Sequence, residues 1–175
     1  PAGPWWLSAG IVYAPEHLGV VAGLVPTAMT AESRSRLAFD EGATGRVMVR
    51  LQRTHHTVVC PYPGSAAAAF APSVDLDALA GQMAPGNPPV WVERVDYGQC
   101  LFVLVEAQAP PGTVAAAALN SFEAGVAAGA PDPGRPALED LPSLTVKTVA
   151  LGADADAATA AFLGGQASLT AFLQA

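Results

Sequence analysis

The sequence predicts an α+β fold with an antiparallel sheet, and three segments carry this prediction: Arg46–Val59, Pro89–Glu106 and Ser143–Asp154. All three are rich in β-branched residues, and in the first of them apolar residues recur at every second position. A period of two is typical of a strand that is buried on one face. Because stretches with helical spacing separate the strands, the order of elements indicates an α+β arrangement.

The first 45 residues are predicted to contain only short strands. Gly10–Tyr13 and Leu37–Asp40 are short, largely apolar stretches that lie between turn-forming residues. Glu41–Gly45 is predicted to be a turn. It leads into the first long strand, which ends at the two prolines of Cys60–Gly64.

The middle of the chain is predicted to contain a short helix and the longest strand. Ser73 is expected to cap the helix, whose apolar face consists of Leu76, Leu79, Ala80 and Met83. The strand Pro89–Glu106 exceeds the usual length of about 3–10 residues. Tyr97 and Gly98 interrupt it, and a glycine inside a strand marks a bend, a bulge or a close approach of two backbones. A plain irregularity of the strand is the alternative.

A second helix is predicted after Pro110–Gly112, which ends the long strand. Thr113 is expected to cap it, and its apolar face recurs at steps of four residues: Val114, Ala118, Phe122 and Val126. Gly129–Pro142 is rich in proline and is predicted to be a loop. The last predicted elements are a strand and an Ala-rich helix that a glycine pair interrupts: Leu144–Leu151, a helix start at Asp154 or Asp156, Gly164–Gly165 and Leu169–Leu173.

The composition indicates one globular domain and excludes some classes of partner. The 175 residues carry 8 basic and 15 acidic side chains, a formal net charge of −7. Non-specific nucleic-acid binding needs a basic surface, so it is not expected. The sequence contains no uninterrupted apolar stretch of about 18 residues, so no membrane-spanning helix is predicted. Arg46, Arg50 and Arg53 form a local basic exception, which leaves contact with a membrane surface open.

No catalytic constellation stands out, and neither an enzyme, a metal nor a cofactor is predicted. His17, His55 and His56 have no Ser or Cys nucleophile near them in a recognised spacing. His55 and His56 are neighbours on a strand and point to opposite faces, so they cannot bind one metal ion together. A site of His56, Cys60 and a distant carboxylate is the alternative, but zinc sites need three or four converging ligands.

Matching pieces, in the same order and with similar gaps, resemble the thiol-activated, cholesterol-dependent cytolysins, a family of secreted bacterial pore-forming toxins. The pieces are Val47–Val49, His56–Val59, Pro63–Gly64 with Phe70, Asp75–Leu76, Asp96–Gly98, Val146–Lys147, Ala150–Gly152, and Gly165 with the last helix. Residues 46–175 carry most of the resemblance, and residues 1–45 match the family's first domain more weakly. The resemblance implies a single cytolysin-like domain over residues 1–175, with a bent sheet of about three to five strands flanked by helices.

The resemblance also implies roles for particular residues. Helical clusters of the family unfurl into membrane-spanning hairpins, and the second cluster corresponds to Gln108–Ala128, which contains Val114, Ala118, Phe122 and Val126. A docked helix is the favoured alternative, because any docked helix shows apolar residues at steps of four and because Pro110 and Pro111 cannot donate ladder hydrogen bonds. Gly152 and Ala153 lie at the family's edge-opening turn, where a second glycine is replaced here by alanine.

Cys60 and Cys100 would lie on neighbouring strands if the family's sheet holds. One disulfide is then feasible, since it requires Cα atoms about 4.4–6.8 Å apart. Two separate thiols are the favoured alternative, because free cysteine is often part of a core.

The function that follows from the resemblance is that of a shortened, secreted cytolysin-like protein. No counterpart of the family's sterol-binding domain is present in the 175 residues, so sterol binding by these residues alone is not expected. The stretch Leu37–Val47 is too short for the family's first helical cluster and the strand before it. Arg46–Val59 is therefore predicted to be an open sheet edge that associates with another copy of the chain. A non-lytic binding module with the same fold is the alternative.

Overall fold

The computed structural model describes residues 3–22, 30–65, 68, 73, 75 and 90–175, and it shows one four-stranded antiparallel sheet with helices. The strands are β1 (Trp5–Ile11), β2 (Gly45–Val59), β3 (Arg94–Ala107) and β4 (Thr145–Leu151). The helices are α1 (His17–Ala22), α2 (Ala31–Arg36), α3 (Pro111–Val126), α4 (Ala155–Leu163) and α5 (Gln166–Gln174), with a 3-10 turn at Leu138–Asp140. The predicted α+β fold is confirmed. The chain forms two compact units, one of Pro1–Thr54 with Gly98–Ala175 and one of His55–Tyr97.

The strands lie in the order β1-β2-β3-β4, so β2 and β3 are interior and β1 and β4 are the edges. β1 pairs with β2 from Trp5 opposite Arg53 to Ile11 opposite Val47. The prediction that Arg46–Val59 is an edge is therefore wrong along the stretch that β1 covers. β1 is the first strand of the sheet, and the two short helices α1 and α2 lie between it and β2.

One face of the sheet packs against the three C-terminal helices. Alternate residues of β2 and β3 form this face, as the period of two predicts. The helices contribute the opposing side chains, and almost all of the resulting core is closed to solvent: Val47, Val49, Leu51, Leu101, Val103, Val105, Val114, Ala118, Phe122, Ala158, Phe162, Leu169 and Leu173. β1 joins this core through Trp5, whose Nε1 donates a hydrogen bond to the carbonyl oxygen of Leu173 at 2.7 Å.

The opposite face of the sheet carries a second, smaller core. It consists of Met48, Phe102 and Leu104 from the sheet with Val12, Leu18 and Leu37 from the connection between β1 and β2. The described parts of the β1–β2 and β3–β4 connections thus contribute to cores on opposite faces of the sheet. Both faces are covered, and this explains why apolar residues occur at even as well as odd positions of β3.

Helix boundaries follow local capping rules. The Oγ1 atom of Thr30 accepts a hydrogen bond from the Ser33 N–H and caps α2, and Asp154 caps α4 in the same way through the N–H groups of Asp156 and Ala157. The predicted cap at Thr113 is wrong, because α3 already begins at Pro111. Proline is favoured in the first helical turn, where its missing N–H has no intrahelical partner to lose.

Some predicted boundaries also differ. The strand expected at Gly10–Tyr13 begins earlier and ends at Ile11, because Trp5 and Leu7 pack against the larger core. Leu37–Asp40 is not a strand, since its backbone leaves α2 and turns toward β2. The long strand begins at Arg94 instead of Pro89. The helix predicted around Leu76 lies outside the described residues.

Gly98 lies where the backbones of β2 and β3 approach each other closely. A Cβ atom at this position would be 1.9 Å from the carbonyl oxygen of Arg53 and 2.9 Å from the Cα atom of Thr54. Real Cβ atoms do not come so close to backbone atoms, so only glycine fits without a shift of one strand. The close approach, and not a plain irregularity of the strand, accounts for the glycine.

Replacing Gly98 with valine is expected to destabilise the sheet, because the added atoms overlap the backbone of β2. The expected loss is about 1–3 kcal/mol of unfolding free energy, the usual cost of overpacking. For a chain of this length it lowers the melting temperature by roughly 2–12 °C, which thermal unfolding followed by circular dichroism measures. Gly129→Val is the control, since nothing lies within 4 Å of a Cβ atom there. Equal melting temperatures for the two variants would contradict the close approach.

Candidate functional site

The outer edge of β1 offers unpaired backbone groups. Val12 donates its N–H to the carbonyl oxygen of Arg46 at 3.0 Å, so its backbone groups point at β2. Backbone groups alternate in direction along a strand, so every second residue before Val12 also points its backbone groups at β2. The backbone groups of Leu7 and Ala9 consequently point away from the sheet. Ala9 is exposed. Unpaired strand edges are templates for pairing with another strand.

The outer edge of β4 is the second free edge. Within the part of the chain that the structure describes, no backbone hydrogen bond joins Thr145–Leu151 to a segment other than β3. β4 is flanked by helices, because both α2 and α4 pack against it. The sheet thus ends on both sides in a strand whose outer backbone groups have no described backbone partner.

The turn after β4 contains the predicted residues Gly152 and Ala153. Gly152 has a φ of +72°, which favours glycine, and a Cβ atom there would lie 2.5 Å from the carbonyl oxygen of Gly98. Gly152 and Gly98 are therefore packed against each other at the same end of the sheet. Ala153 packs on the larger core, and the turn leads directly into α4. Two N–H groups, first that of Ala157, hold the pKa of the Asp154 carboxyl at the helix start below its usual value.

Glu106 is the central charged residue of the sheet, and the sequence prediction missed it. Its carboxylate is fully buried and accepts hydrogen bonds from Arg46 Nε at 3.0 Å, Lys147 Nζ at 2.6 Å and the Asp40 N–H at 2.9 Å. These groups come from β2, β4 and the segment before β2. The signal in the sequence was a single acidic residue that ends the apolar run Leu101–Val105 of β3. A buried carboxylate requires such partners, because an unpaired buried charge is costly.

The four residues proposed for a membrane hairpin lie on one face of α3. Val114, Ala118 and Phe122 are fully buried, and Val126 is partly buried against the same core. The rings of Phe122 and Phe162 are 5.1 Å apart between centroids, which fixes α3 against α4. In this structure the residues are the core-facing stripe of a docked helix.

Two polar residues of α3 tie it to the loop that follows. The Asn120 side chain is buried, and its Nδ2 lies 3.1 Å from each of three loop carbonyl oxygens that share its two N–H groups. Its Oδ1 accepts a hydrogen bond from the Asp132 N–H at 2.8 Å. The hydroxyl of Ser121 accepts a hydrogen bond from the Leu138 N–H at 2.9 Å. Conversion of α3 into a hairpin would have to break all these bonds as well as the apolar contacts.

The second unit, His55–Tyr97, carries exposed aromatic residues. Tyr97 is half exposed and stacks on His56, with ring centroids 4.7 Å apart. The hydroxyl of Thr57, followed by the guanidinium of Arg94, holds the pKa of the Asp96 carboxyl below its usual value. Tyr97 thus belongs to an exposed stack of aromatic rings. The next residue, Gly98, is a glycine because the backbone of β2 leaves no room for a Cβ atom.

The remaining candidates form no site. Cys60 and Cys100 are both free thiols, and burial raises the pKa of the Cys100 thiol. His55 and His56 are exposed. Among the described residues no group of three His, Cys, Asp or Glu side chains could hold a metal ion. The helices in the described ranges are all too short or too polar to cross a membrane.

An apolar groove of about 420 Å³ lies beside the connection between β1 and β2. Its walls come from the region of α1, from α2 and from the residues after α2: Pro15, Glu16, Leu18, Gly19, Arg34, Leu37, Ala38 and Phe39. Its volume lies in the range of about 300–1,000 Å³ that is usual for small-molecule pockets. Glu16 and Arg34 are its charged lining residues, and both are exposed.

The fold of this chain is similar to parts of two solved structures. Neither a protein-family model nor a curated protein sequence matches the chain. A solved structure described as "Trapped Toxin" is similar over 99% of this chain and 36% of its own, with 23% sequence identity and a TM-score of 0.68. A non-hemolytic pneumolysin from Streptococcus pneumoniae strain ST306 is similar over 88% of this chain and 32% of its own, with 20% identity and a TM-score of 0.64.

The chain thus spans about a third of the length of these two proteins. At this level of identity the similarity concerns the fold, and it confirms the cytolysin-like fold that the sequence predicts. In this chain that fold consists of a four-stranded antiparallel sheet and the helices that pack against it. This chain has the fold of a segment of a pore-forming cytolysin.

Proposed function

We propose that this chain is a secreted, cytolysin-like module that is not an enzyme and that associates with other copies through the edges of its sheet. The observation that carries the proposal is the presence of two edge strands, β1 and β4, on opposite sides of one sheet. The likeness in fold to a toxin and to a pneumolysin supports the class of protein. Fold alone does not determine function, so the proposed association depends on the two edge strands.

Two different edges favour a head-to-tail contact, in which β1 of one copy pairs with β4 of the next. Such a heterologous contact generates rings or open filaments, because each added copy presents a fresh edge. Two arginines of β2 are engaged in contacts within the chain. Arg46 is paired with Glu106, and the guanidinium of Arg53 lies 4.7 Å from the centre of the Trp5 ring. β1 itself contains no charged residue between Trp5 and Ile11.

Replacing Ala9 with proline is expected to weaken association at least about tenfold, since it removes an outward-pointing N–H from β1. The fold should survive, because edge strands tolerate proline where the N–H faces solvent. Sedimentation velocity over a concentration series measures the change. Ala130→Pro, in an exposed loop, is the control.

Mixing adds a test of direction. A small fraction of the Ala9→Pro chain should shorten assemblies of the unmodified chain, because its β4 edge still binds and its β1 edge ends growth. A chain that stays monomeric at all concentrations, with and without lipid, would contradict edge association.

We also propose that these 175 residues do not bind sterol on their own. The four residues of the suggested membrane hairpin, which would otherwise be available to a membrane, are held in the core. Co-sedimentation at low micromolar protein with vesicles of phosphatidylcholine, with and without cholesterol, should leave the protein in the supernatant in both cases. Pelleting that depends on cholesterol would disprove this part of the proposal.

A non-lytic binding module is the second candidate, and the groove beside α2 favours it. Ala38 lines the groove with an exposed side chain, so Ala38→Trp would fill part of the space. Binding of the apolar dye 1-anilinonaphthalene-8-sulfonate is expected to fall at least about fivefold in this variant, because the ring replaces the dye in the groove. Ser35→Trp on the exposed side of α2 should bind the dye normally. Equal dye binding by both variants would exclude the groove as the binding site.

A further inference from the structure

The groove beside α2 has an apolar lining that the sheet holds in place. Leu18 and Leu37 line it and are buried in the smaller core. The Phe39 ring also lines it, and the guanidinium of Arg46 lies 4.6 Å from the centre of this ring. Arg46 is itself paired with the buried carboxylate of Glu106. Because these contacts exist without a ligand, the groove is preformed, and a preformed site lowers the entropic cost of binding.

Two side chains of opposite charge lie in the same lining. Glu16 comes directly before α1, Arg34 belongs to α2, and both are exposed. Neither forms an ion pair with the other or with any further residue that the structure describes. Arg36, two residues after Arg34 on the same helix, is by contrast paired with Asp156. A few polar groups on an apolar lining fix the orientation of a ligand, so this groove matches an apolar molecule with one cation and one anion.

The backbone of Phe39 offers a third kind of contact. The carbonyl oxygen of Ala38 accepts a hydrogen bond from Lys147, and the N–H of Asp40 donates to Glu106. Between these two fixed residues, neither the N–H nor the carbonyl oxygen of Phe39 forms a hydrogen bond with the residues that the structure describes. A peptide ligand supplies both amide donors and carbonyl acceptors, whereas a phosphocholine headgroup supplies no donor. A peptide therefore matches the lining better than a zwitterionic lipid does.

We propose that the groove binds short apolar peptides whose amino and carboxyl ends are both free, dipeptides being the simplest case. Glu16 pairs with the ammonium group, Arg34 pairs with the carboxylate, and the apolar side chains contact Leu18, Leu37 and Phe39. The inference names the ligand of the groove, and it rests on the binding module that is the second candidate function.

Four forms of the dipeptide leucyl-phenylalanine separate the two charges: unmodified, N-acetylated, C-amidated, and blocked at both ends. Their affinities are measured by following amide signals of the protein in two-dimensional NMR titrations. The unmodified dipeptide is expected to bind with a dissociation constant of about 0.05–1 mM and to shift the signals of Leu18, Gly19, Leu37 and Phe39. Blocking either end should weaken binding about threefold to fivefold, because ion pairs of exposed groups contribute modestly.

Two variants assign each charge of the dipeptide to its partner. Glu16→Gln should abolish the effect of N-acetylation and keep that of C-amidation, whereas Arg34→Gln should do the reverse. Glu41→Gln and Arg36→Gln are the matched controls, because neither residue lines the groove, and both variants should keep both effects. A general loss of structure cannot produce this crossed pattern, since it would weaken all four dipeptides equally.

Ala38→Trp separates the peptide from the groove itself. It should weaken binding of the unmodified dipeptide at least about fivefold, as it does for the dye. Dye binding in the groove without dipeptide binding would overturn the peptide and leave the binding module standing. Dipeptide binding that Ala38→Trp leaves unchanged would show a different site and overturn the inference.

Two further results would also overturn the inference. Equal affinities for the four dipeptides would remove the roles of Glu16 and Arg34. Dodecylphosphocholine, used below its critical micelle concentration, should compete weakly with the dipeptide. Tighter binding of this amphiphile than of the dipeptide would identify a zwitterionic lipid as the ligand instead.

Discussion

The buried carboxylate of Glu106 is the constraint on which the arrangement of the sheet depends. It is fully buried on an interior strand, and its partners come from β2, from β4 and from the segment that precedes β2. Removing one partner of a buried ion pair typically costs about 3–5 kcal/mol, so alternatives that separate these groups are strongly disfavoured. A slip of one residue between strands would place the carboxylate on the wrong face. The charge cluster therefore disfavours other strand registers.

The same charges hold the end of the β1–β2 connection against the sheet. The β1–β2 connection covers the smaller core through Leu18 and Leu37, whereas the β3–β4 connection supplies α3 to the larger core. Asn120 and the buried aromatic rings hold α3, while the residues after α2 accept hydrogen bonds from Lys147 and Arg46. Both connections thus combine apolar packing with polar contacts. Only the polar contacts of the β1–β2 connection involve the buried charge cluster.

The similarity to two solved toxin structures concerns about a third of each of them, and it is a similarity of fold. Within that fold, this chain places a short helical segment beside β4 and continues after Gly152 directly into a helix. Glycines pack against each other at this end of the sheet, because the Gly98 carbonyl oxygen occupies the space that a Cβ atom of Gly152 would need. In this chain, close packing of the backbone therefore accounts for both glycines.

Local periodicity and the Pro and Gly boundaries were enough to predict the α+β class, β2, β4 and the core-facing stripe of α3. They also indicated that Gly98 needs a special backbone environment. The pairing of Trp5–Ile11 with β2 could not be predicted in this way, because a sheet strand is identified by its partner, which lies about 40 residues away in the sequence. The roles of Glu106, Arg46 and Lys147 could not be predicted either. These three charged residues lie on separate strands, and nothing in the sequence indicates that they contact one another. They form one buried cluster only when the strands align.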